Sequence, residues 1–316
     1  MSPPPGPTAI GIDVGGTKIA AGVVDGTGAV AHAVRRPTPG SGGRDAVLAA
    51  LADVVSELRA HGGPRLVGVG VGTGGVVDHA RGVVLTATDL LPGWAGAPVG
   101  PWLSERCGLP VTADNDGNTH ALGELRFGAA RGRADVLFAA VGTGVGGALA
   151  LGGALRRGGH HTAGDIGHVA APGAEGRRCS CGASGHLEAA AAGPAIAARH
   201  RELGGADLAL PAIADLARGG DPTAAAAIAE GAAVLGRTLA GLATAIDPDA
   251  VVLGGGVTDI GPLYWEPLRA AFAAEPFMRS GAVPLLAASL GPDSSVAGAA
   301  ALAFDRGTDP HLEGNR

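Results

Sequence analysis

The chain is poor in aromatic residues (3%), in charged residues (16%) and in cysteine, of which it has three among 316 residues. With 46% hydrophobic residues the low charge excludes a disordered chain, and the length suffices for a large core and two domains. Basic excess is also lacking. The net charge is −6, with 23 Lys and Arg against 29 Asp and Glu, and no stretch gathers the cations into a stripe. That argues against a nucleic-acid binder. The start, Met1-Ser2-Pro3-Pro4-Pro5, has neither the basic nor the apolar region of a signal peptide. No apolar run reaches the roughly 18 residues that a membrane span needs. Three cysteines, with Cys179 and Cys181 two apart, suit a metal site in a reducing cytoplasm better than a disulfide framework. What is abundant is glycine, 57 residues spread along the chain, so no single glycine carries weight without its context.

Thr8 to Val14 reads as a buried strand followed by the turn Gly15-Gly16-Thr17. Lys18 to Val24 and Ala29 to Arg36 read as two more strands, joined at Asp25-Gly26. Asp45 to His61 has helical spacing in Val47, Leu51, Val54, Val55 and Leu58, and Leu66 to Val71 is a further strand. The plan then repeats: strand Ala134 to Val141, turn Gly142-Thr143-Gly144, strand Val145 to Leu151. An Ala-rich helix, Pro222 to Ile246, leads to strand Ala250 to Leu253 and Gly254-Gly255-Gly256. The pattern predicts two α/β halves, each opening on a hairpin with a glycine-rich turn.

Such turns let backbone N–H groups approach phosphate oxygens closely. Asp13, at the end of its strand, could hold Mg²⁺ through water, and Thr17 and Lys18 add a hydroxyl and a positive charge. Taken alone, Asp13-x-Gly-Gly-Thr fits a phosphate turn and an ordinary hairpin equally well. Gly142-Thr143-Gly144-Val145-Gly146-Gly147 also matches the dinucleotide pattern, which requires a helix next. A strand follows here, so a second phosphate-facing hairpin is the better reading. Gly254-Gly255-Gly256 could let a nucleoside lie against the backbone.

His168, Cys179, Cys181 and His186 fall within nineteen residues and offer the thiolates and imidazoles that a tetrahedral, structural Zn²⁺ prefers. Asp114-Asn115-Asp116-Gly117-Asn118 ends a short strand, Val111 to Ala113, and starts a helix. Phosphoryl transfer to a hydroxyl needs a carboxylate to orient that hydroxyl and take its proton, a role open to Asp116 with Asn115 as amide partner. Helix capping explains the same residues, and local pattern alone favours it.

In order, these motifs resemble the ROK family (repressor, open reading frame, kinase), and within it the bacterial glucokinase-like sugar kinases. The resemblance runs from about Ile10 to Ala303. It rests on Gly11-Ile12-Asp13-Val14-Gly15-Gly16-Thr17-Lys18, Asn115-Asp116-Gly117-Asn118, Gly142-Thr143-Gly144-Val145-Gly146, Gly164-Asp165-Ile166-Gly167-His168, Cys179-Ser180-Cys181-Gly182 and Gly185-His186-Leu187-Glu188. It implies an α/β, actin-like (ribonuclease H-like) ATPase fold in two domains with the site in an interdomain cleft. Residues 1–127, completed by a helix at about 294–306, would form the smaller domain, and 128–293 the larger, zinc-bearing one. It implies ATP and Mg²⁺ as cofactors with structural Zn²⁺, Asp116 as catalytic base, and a sugar or polyol as substrate. Asn115, His168 and Glu188 would contact sugar hydroxyls, His168 also ligating zinc through its other nitrogen. A cytoplasmic homodimer, with no nucleic-acid or membrane partner, is the expectation.

Three departures from the family pattern bear on the substrate. Asp165 stands where the family has Glu, and His186 stands where it has a third zinc-motif cysteine. The loop after the Leu66 strand reads Thr73-Gly74-Gly75 and Asp89-Leu90, where Pro-Gly and Asn-Leu are usual. Gly74, Asp89 and Asp165 fall where substrate would lie, so glucose is the first expectation, with an N-acetyl-hexosamine, fructose or a cyclitol as alternatives. A sugar-responsive regulator of the same family would carry a helix-turn-helix domain, whereas ten proline-rich residues precede Gly11. A degenerate kinase fold that only binds sugar is opposed by Asp13, Asp116 and both turns.

Overall fold

The computed structural model describes residues 6–87, 91–275 and 283–306. They form two compact units. The first takes the described residues of Met1–Gly132, Arg157–Ala163 and Ser289–Arg316, and the second takes those of Arg133–Arg156 and Gly164–Ala288.

In the first unit, β1 (Thr8–Val14) and β2 (Lys18–Asp25) pair antiparallel from Thr8 opposite Asp25 to Val14 opposite Ile19. The Asp25 carboxylate closes the next turn by accepting from the Thr27 and Ala29 amides at 2.8 and 3.1 Å, and β3 (Val30–Pro37) returns along β2. Helix α1 (Gly43–Arg59) buries Val47, Leu48, Leu51, Val54, Val55 and Leu58, the single stripe that helical spacing predicts. Next come β4 (Leu66–Thr73), the small ribbon of β5 (Val76–Asp78) and β6 (Val83–Thr86), and α2 (Val99–Cys107), which stops at a left-handed Gly108. β7 (Val111–Asn115) runs straight into α3 (Asp116–Phe127). The sheet order is β3-β2-β1-β4-β7, with β4 parallel to both β1 and β7.

The second unit repeats the plan. β8 (Val136–Val141), β9 (Val145–Leu151) and β10 (Ala154–Arg156) form an antiparallel meander. The helices α4 (Glu188–Ala191), α5 (Gly193–Glu202), α6 (Leu210–Arg218) and α7 (Pro222–Ile246) follow. Then come β11 (Ala250–Gly254), α8 (Pro262–Ala274) and β12 (Leu285–Ala287). The order is β10-β9-β8-β11-β12, with β11 parallel to β8 and β12.

Helix α7 has Asp221 as its cap, accepting from the Ala224 amide at 2.8 Å, and Pro222 in its first turn. By length and composition it could cross a membrane, yet Ala227, Ile228, Leu235, Leu239 and Ala243 are buried in this unit's core.

The last helix, α9 (Ser294–Asp305), belongs to the first unit and lies against β1 and β4. A Cβ at Gly11 would stand 1.9 Å from the Val296 carbonyl oxygen, and one at Gly70 would stand 1.6 Å from that of Ala299. Only glycine in the two strands lets the helix backbone approach this closely, and Ala297, Ala299, Ala300 and Ala301 keep the helix equally slim.

Candidate active site

In the first unit, the β1–β2 turn is closed by the Gly15 amide donating to the Lys18 carbonyl at 2.9 Å. Thr38 braces it: its hydroxyl donates to the Gly15 carbonyl at 2.7 Å, and its amide to that of Thr17 at 3.0 Å. Neither Gly15 nor Gly16 has a positive φ, so glycine is not required there by backbone conformation. Thr17 and Lys18 are exposed. Burial holds the Asp13 carboxyl above its ordinary value, and the negative charge of Asp116 adds to the rise. His120, the Ser295 hydroxyl and Lys18 oppose it. A bound cation would reverse that balance, since it favours the carboxylate. The structure therefore brings Asp13 and Asp116 into one electrostatic neighbourhood. It adds His120, whose Nδ1 lies 3.1 Å from the Ser294 hydroxyl.

At the β7–α3 junction, Asn115 caps the helix. Its Oδ1 accepts from the Gly117 and Asn118 amides at 2.8 and 3.4 Å, while its Nδ2 donates to the Gly75 carbonyl at 2.8 Å. The capping expected from local pattern is thus made, by Asn115. Asp116, the first residue of α3, is half-buried, and a Cβ at Gly74 would stand 4.0 Å from its Oδ2. Behind the pair lies Asp114, fully buried. Its Oδ2 accepts from Arg157 Nε at 2.7 Å and lies 3.3 Å from His79 Nδ1, and its Oδ1 accepts from Asn118 Nδ2 and the Asn115 amide, both at 2.8 Å. A buried carboxylate needs such partners to stay charged.

In the second unit, the β8–β9 turn is closed by the Gly142 amide donating to the Gly144 carbonyl at 2.9 Å. The Gly193 amide ties α5 to the turn through the Gly142 carbonyl, also at 2.9 Å. A pocket of about 690 Å³ opens beside it, walled by Gly142 and Thr143, by Pro194 and Ala197 of α5, by Leu210, Pro211 and Arg218 of α6, and by Gly256 and Val257. Its size and apolar walls suit one small ligand. Gly255 holds φ 91° with its backbone against Val141, which brings the strand-end glycines to the turn.

The same unit carries the Cys/His loop. The ligand atoms of His168, Cys179, Cys181 and His186 lie within 4.8 Å of one another, with Cys179 Sγ 3.5 Å from His168 Nδ1 and Cys181 Sγ 3.3 Å from His186 Nδ1. A tetrahedral Zn²⁺ with bonds of about 2.3 Å to sulfur and 2.0–2.1 Å to nitrogen places such atoms roughly 3.5 Å apart, so the set fits the ion. His168 uses Nδ1 toward the cluster and leaves Nε2 4.0 Å from Asp165 Oδ2. Glu188 does not lie idle at the surface. One carboxylate oxygen accepts from the Val145 amide at 3.1 Å and the other from the Ser180 hydroxyl.

The expected residues thus assemble by unit: Asp13, Gly15, Gly16, Thr17, Lys18, Gly74, Asn115 and Asp116 in the first, and Gly142, Thr143, Gly144, Asp165, His168, Cys179, Cys181, His186, Glu188 and Gly254 to Gly256 in the second. Asp89 lies outside the described residues. Sequence reasoning missed Asp114, His79, Arg157, His120, Thr38, Ser180 and the α5–α6 wall. The one local signal for that wall was Gly193-Pro194, a helix start placed against the turn.

A family model described as the ROK family matches residues 9–306. A glucokinase of Streptomyces coelicolor is 35% identical over 322 residues, covering 95% of this chain and 98% of the relative. An N-acetylmannosamine kinase of Escherichia fergusonii is 35% identical over 297 residues, covering 94% and 98%. The crystal structure of a ROK family glucokinase from Streptomyces griseus in complex with glucose and AMPPNP superposes with a TM-score of 0.79 at 34% identity, over 94% of this chain and 99% of that one.

Proposed function

This chain belongs to the ROK family and shares its actin-like α/β fold, and from that premise we propose that it is an ATP-dependent sugar kinase acting on a hexose, glucose to glucose 6-phosphate first. The reading is carried by Asp116, a half-buried carboxylate set at the head of α3 by the Asn115 cap and close enough to Asp13 for its charge to be felt there. Asp116 takes the proton of the acceptor hydroxyl as its oxygen attacks the γ-phosphorus, and ADP leaves with the electrons of the broken bond. Asp13 would hold Mg²⁺, which would supply neutralisation of the phosphate charge. Gly15 to Lys18 and Gly142 to Gly144 orient the phosphates, and the pocket beside Gly254 to Gly256 takes the nucleoside. Asn115, Gly74, Asp89, Asp165, His168 and Glu188 serve the acceptor side. Zn²⁺ at His168, Cys179, Cys181 and His186 is structural, because four protein ligands leave it no open position.

The glucokinase relatives support glucose, while the N-acetylmannosamine kinase at equal identity supports an amino sugar as the second reading. A cytoplasmic homodimer belongs to the same proposal by family analogy. The test is ADP release from Mg·ATP across hexoses, N-acetyl-hexosamines and cyclitols. Asp116→Asn should lower kcat by about 10²–10⁴-fold while nucleotide affinity stays near that of wild type. If no acceptor stimulates wild-type turnover, the kinase assignment fails.

A further inference from the structure

Glu188 stands between two features that the proposed reaction treats as separate, the zinc loop and the phosphate turn. Its Oε2 accepts from the Val145 amide at 3.1 Å, at the exit of the Gly142 to Gly144 turn. The same oxygen would lie only 2.6 Å from a Cβ at Gly144, so the carboxylate is packed directly on the turn. Its Oε1 accepts from the Ser180 hydroxyl and lies 3.7 Å from Cys179 Sγ. Ser180 itself sits between the two cysteines of the metal cluster, so its position follows theirs.

The loop is a short hairpin whose base is held by the Arg178–Ser184 bridge and by the Gly185 amide on the Arg177 carbonyl at 3.0 Å, with Cys179 buried. The Cys179 amide bonds the Ala183 carbonyl at 2.8 Å and the Gly182 amide bonds the Cys179 carbonyl at 3.0 Å, closing a tight turn through Gly182 at φ 92°. Cys181 is exposed, and Ser180, Gly182, Ala183 and Ser184 bring no apolar side chain of any size to the core. A four-ligand ion held by the two cysteines that flank Ser180 would add a further restraint on where its hydroxyl points.

We propose that Ser180 and Glu188 form a positioning relay through which metal occupancy of the Cys/His loop sets nucleotide affinity at the Gly142 to Val145 turn. With the metal bound, Ser180 holds one carboxylate oxygen of Glu188 and so fixes the other on the Val145 amide. When the loop slackens, the carboxylate loses that donor and can turn away, and the turn loses the brace that keeps its N–H groups aimed. Ser180 is a positioning residue, since it acts through Glu188. The proposal rests on the reading of the second unit as the nucleotide-binding one.

The experiment measures ADP affinity by calorimetry for wild type, Ser180→Ala and Ser180→Thr, each zinc-loaded and after chelation, with amide exchange of residues 142–146 as a second readout. Chelation should weaken ADP binding to wild type by roughly five- to tenfold, in the range of ordinary coupling between sites. Zinc-loaded Ser180→Ala should be weakened by a similar factor, chelation adding less than about twofold, and Ser180→Thr should restore both affinity and coupling. Amide protection at Val145 should fall in parallel. The relay is overturned if zinc-loaded Ser180→Ala binds ADP as wild type does, or if chelation weakens wild type and Ser180→Ala by the same factor. Should chelation unfold the chain, the zinc-loaded comparison of the three proteins decides alone. Zinc-loaded wild type that binds no nucleotide would instead sink the kinase reading, and the relay with it.

Discussion

Replacing Arg157 with methionine should remove about 3–5 kcal/mol of stability from the first unit. The side chains of Arg157 and Asp114 are only 6% and 1% exposed, and Arg157 Nε meets Asp114 Oδ2 at 2.7 Å. Methionine matches the apolar stem of arginine but deletes the charge, stranding a carboxylate where water cannot reach it. The donors left on Asp114 are Asn118 Nδ2 and the Asn115 amide on one oxygen, with His79 at 3.3 Å from the other. Exposed pairs such as Arg201–Asp207 give only about 0.2–1 kcal/mol, so burial accounts for the difference. Urea unfolding of wild type, Arg157→Met, Asp114→Asn and the double variant forms a thermodynamic cycle. The double variant should be more stable than the sum of the single losses implies, because the neutral amide that replaces the Asp114 carboxylate leaves no charge to be stranded. A loss below about 1 kcal/mol for Arg157→Met, or strict additivity in the cycle, would refute the reasoning. Since Asp114 immediately precedes Asn115 and Asp116, kcat should fall with stability, and Arg157→Lys should recover part of both.

Three further outcomes follow from the same geometry. The raised Asp13 carboxyl stabilises the fold in its protonated form, so that contribution is present below the unfolded value of 3.8 and is lost as pH rises through the folded one. Asp13→Asn should therefore melt higher than wild type at pH 7 in metal-free buffer, the gap closing toward pH 4, while kinase activity disappears; a lower Tm at pH 7 would contradict this. Asn115→Ala removes the α3 cap and the tie to Gly75, and should lower stability by about 1–2 kcal/mol in urea melts, with a kcat loss that Asn115→Asp partly repairs. Cys181→Ser should bring bound zinc, measured by metal analysis of the purified chain, well below one per chain, and equal zinc content in variant and wild type would remove Cys181 from the ligand set.

Much of this protein was legible because the relevant physics is local. Strands such as Thr8 to Val14 and Val145 to Leu151, and the helix Pro222 to Ile246, lie where apolar spacing and end signals place them. The capping reading at Asp114 to Asn118 holds for Asn115, whose Oδ1 accepts from the Gly117 and Asn118 amides, and the Gly117 amide is shared with Asp116 Oδ1 at 2.9 Å. None of Gly15, Gly16, Gly142 and Gly144 has a positive φ; a Cβ at Gly142 would meet nothing within 4 Å, whereas one at Gly144 would stand 2.6 Å from Glu188 Oε2, so glycine is needed there for close packing.

The sequence by itself determined the two repeated hairpins, the order of the motifs and the cluster of His168, Cys179, Cys181 and His186, because each depends on residues close together in the chain. Two thiols and two imidazoles within nineteen residues can come together with only short loops to close. The tertiary structure alone decided the rest. Asp114 finds Arg157 across 43 residues, and Glu188 finds Val145 across the same span. Gly11 and Gly70 matter because α9, more than two hundred residues on, lies against them. No local spacing encodes such pairings, since burial, close approach and hydrogen-bond demand are set by whichever segment the fold brings alongside.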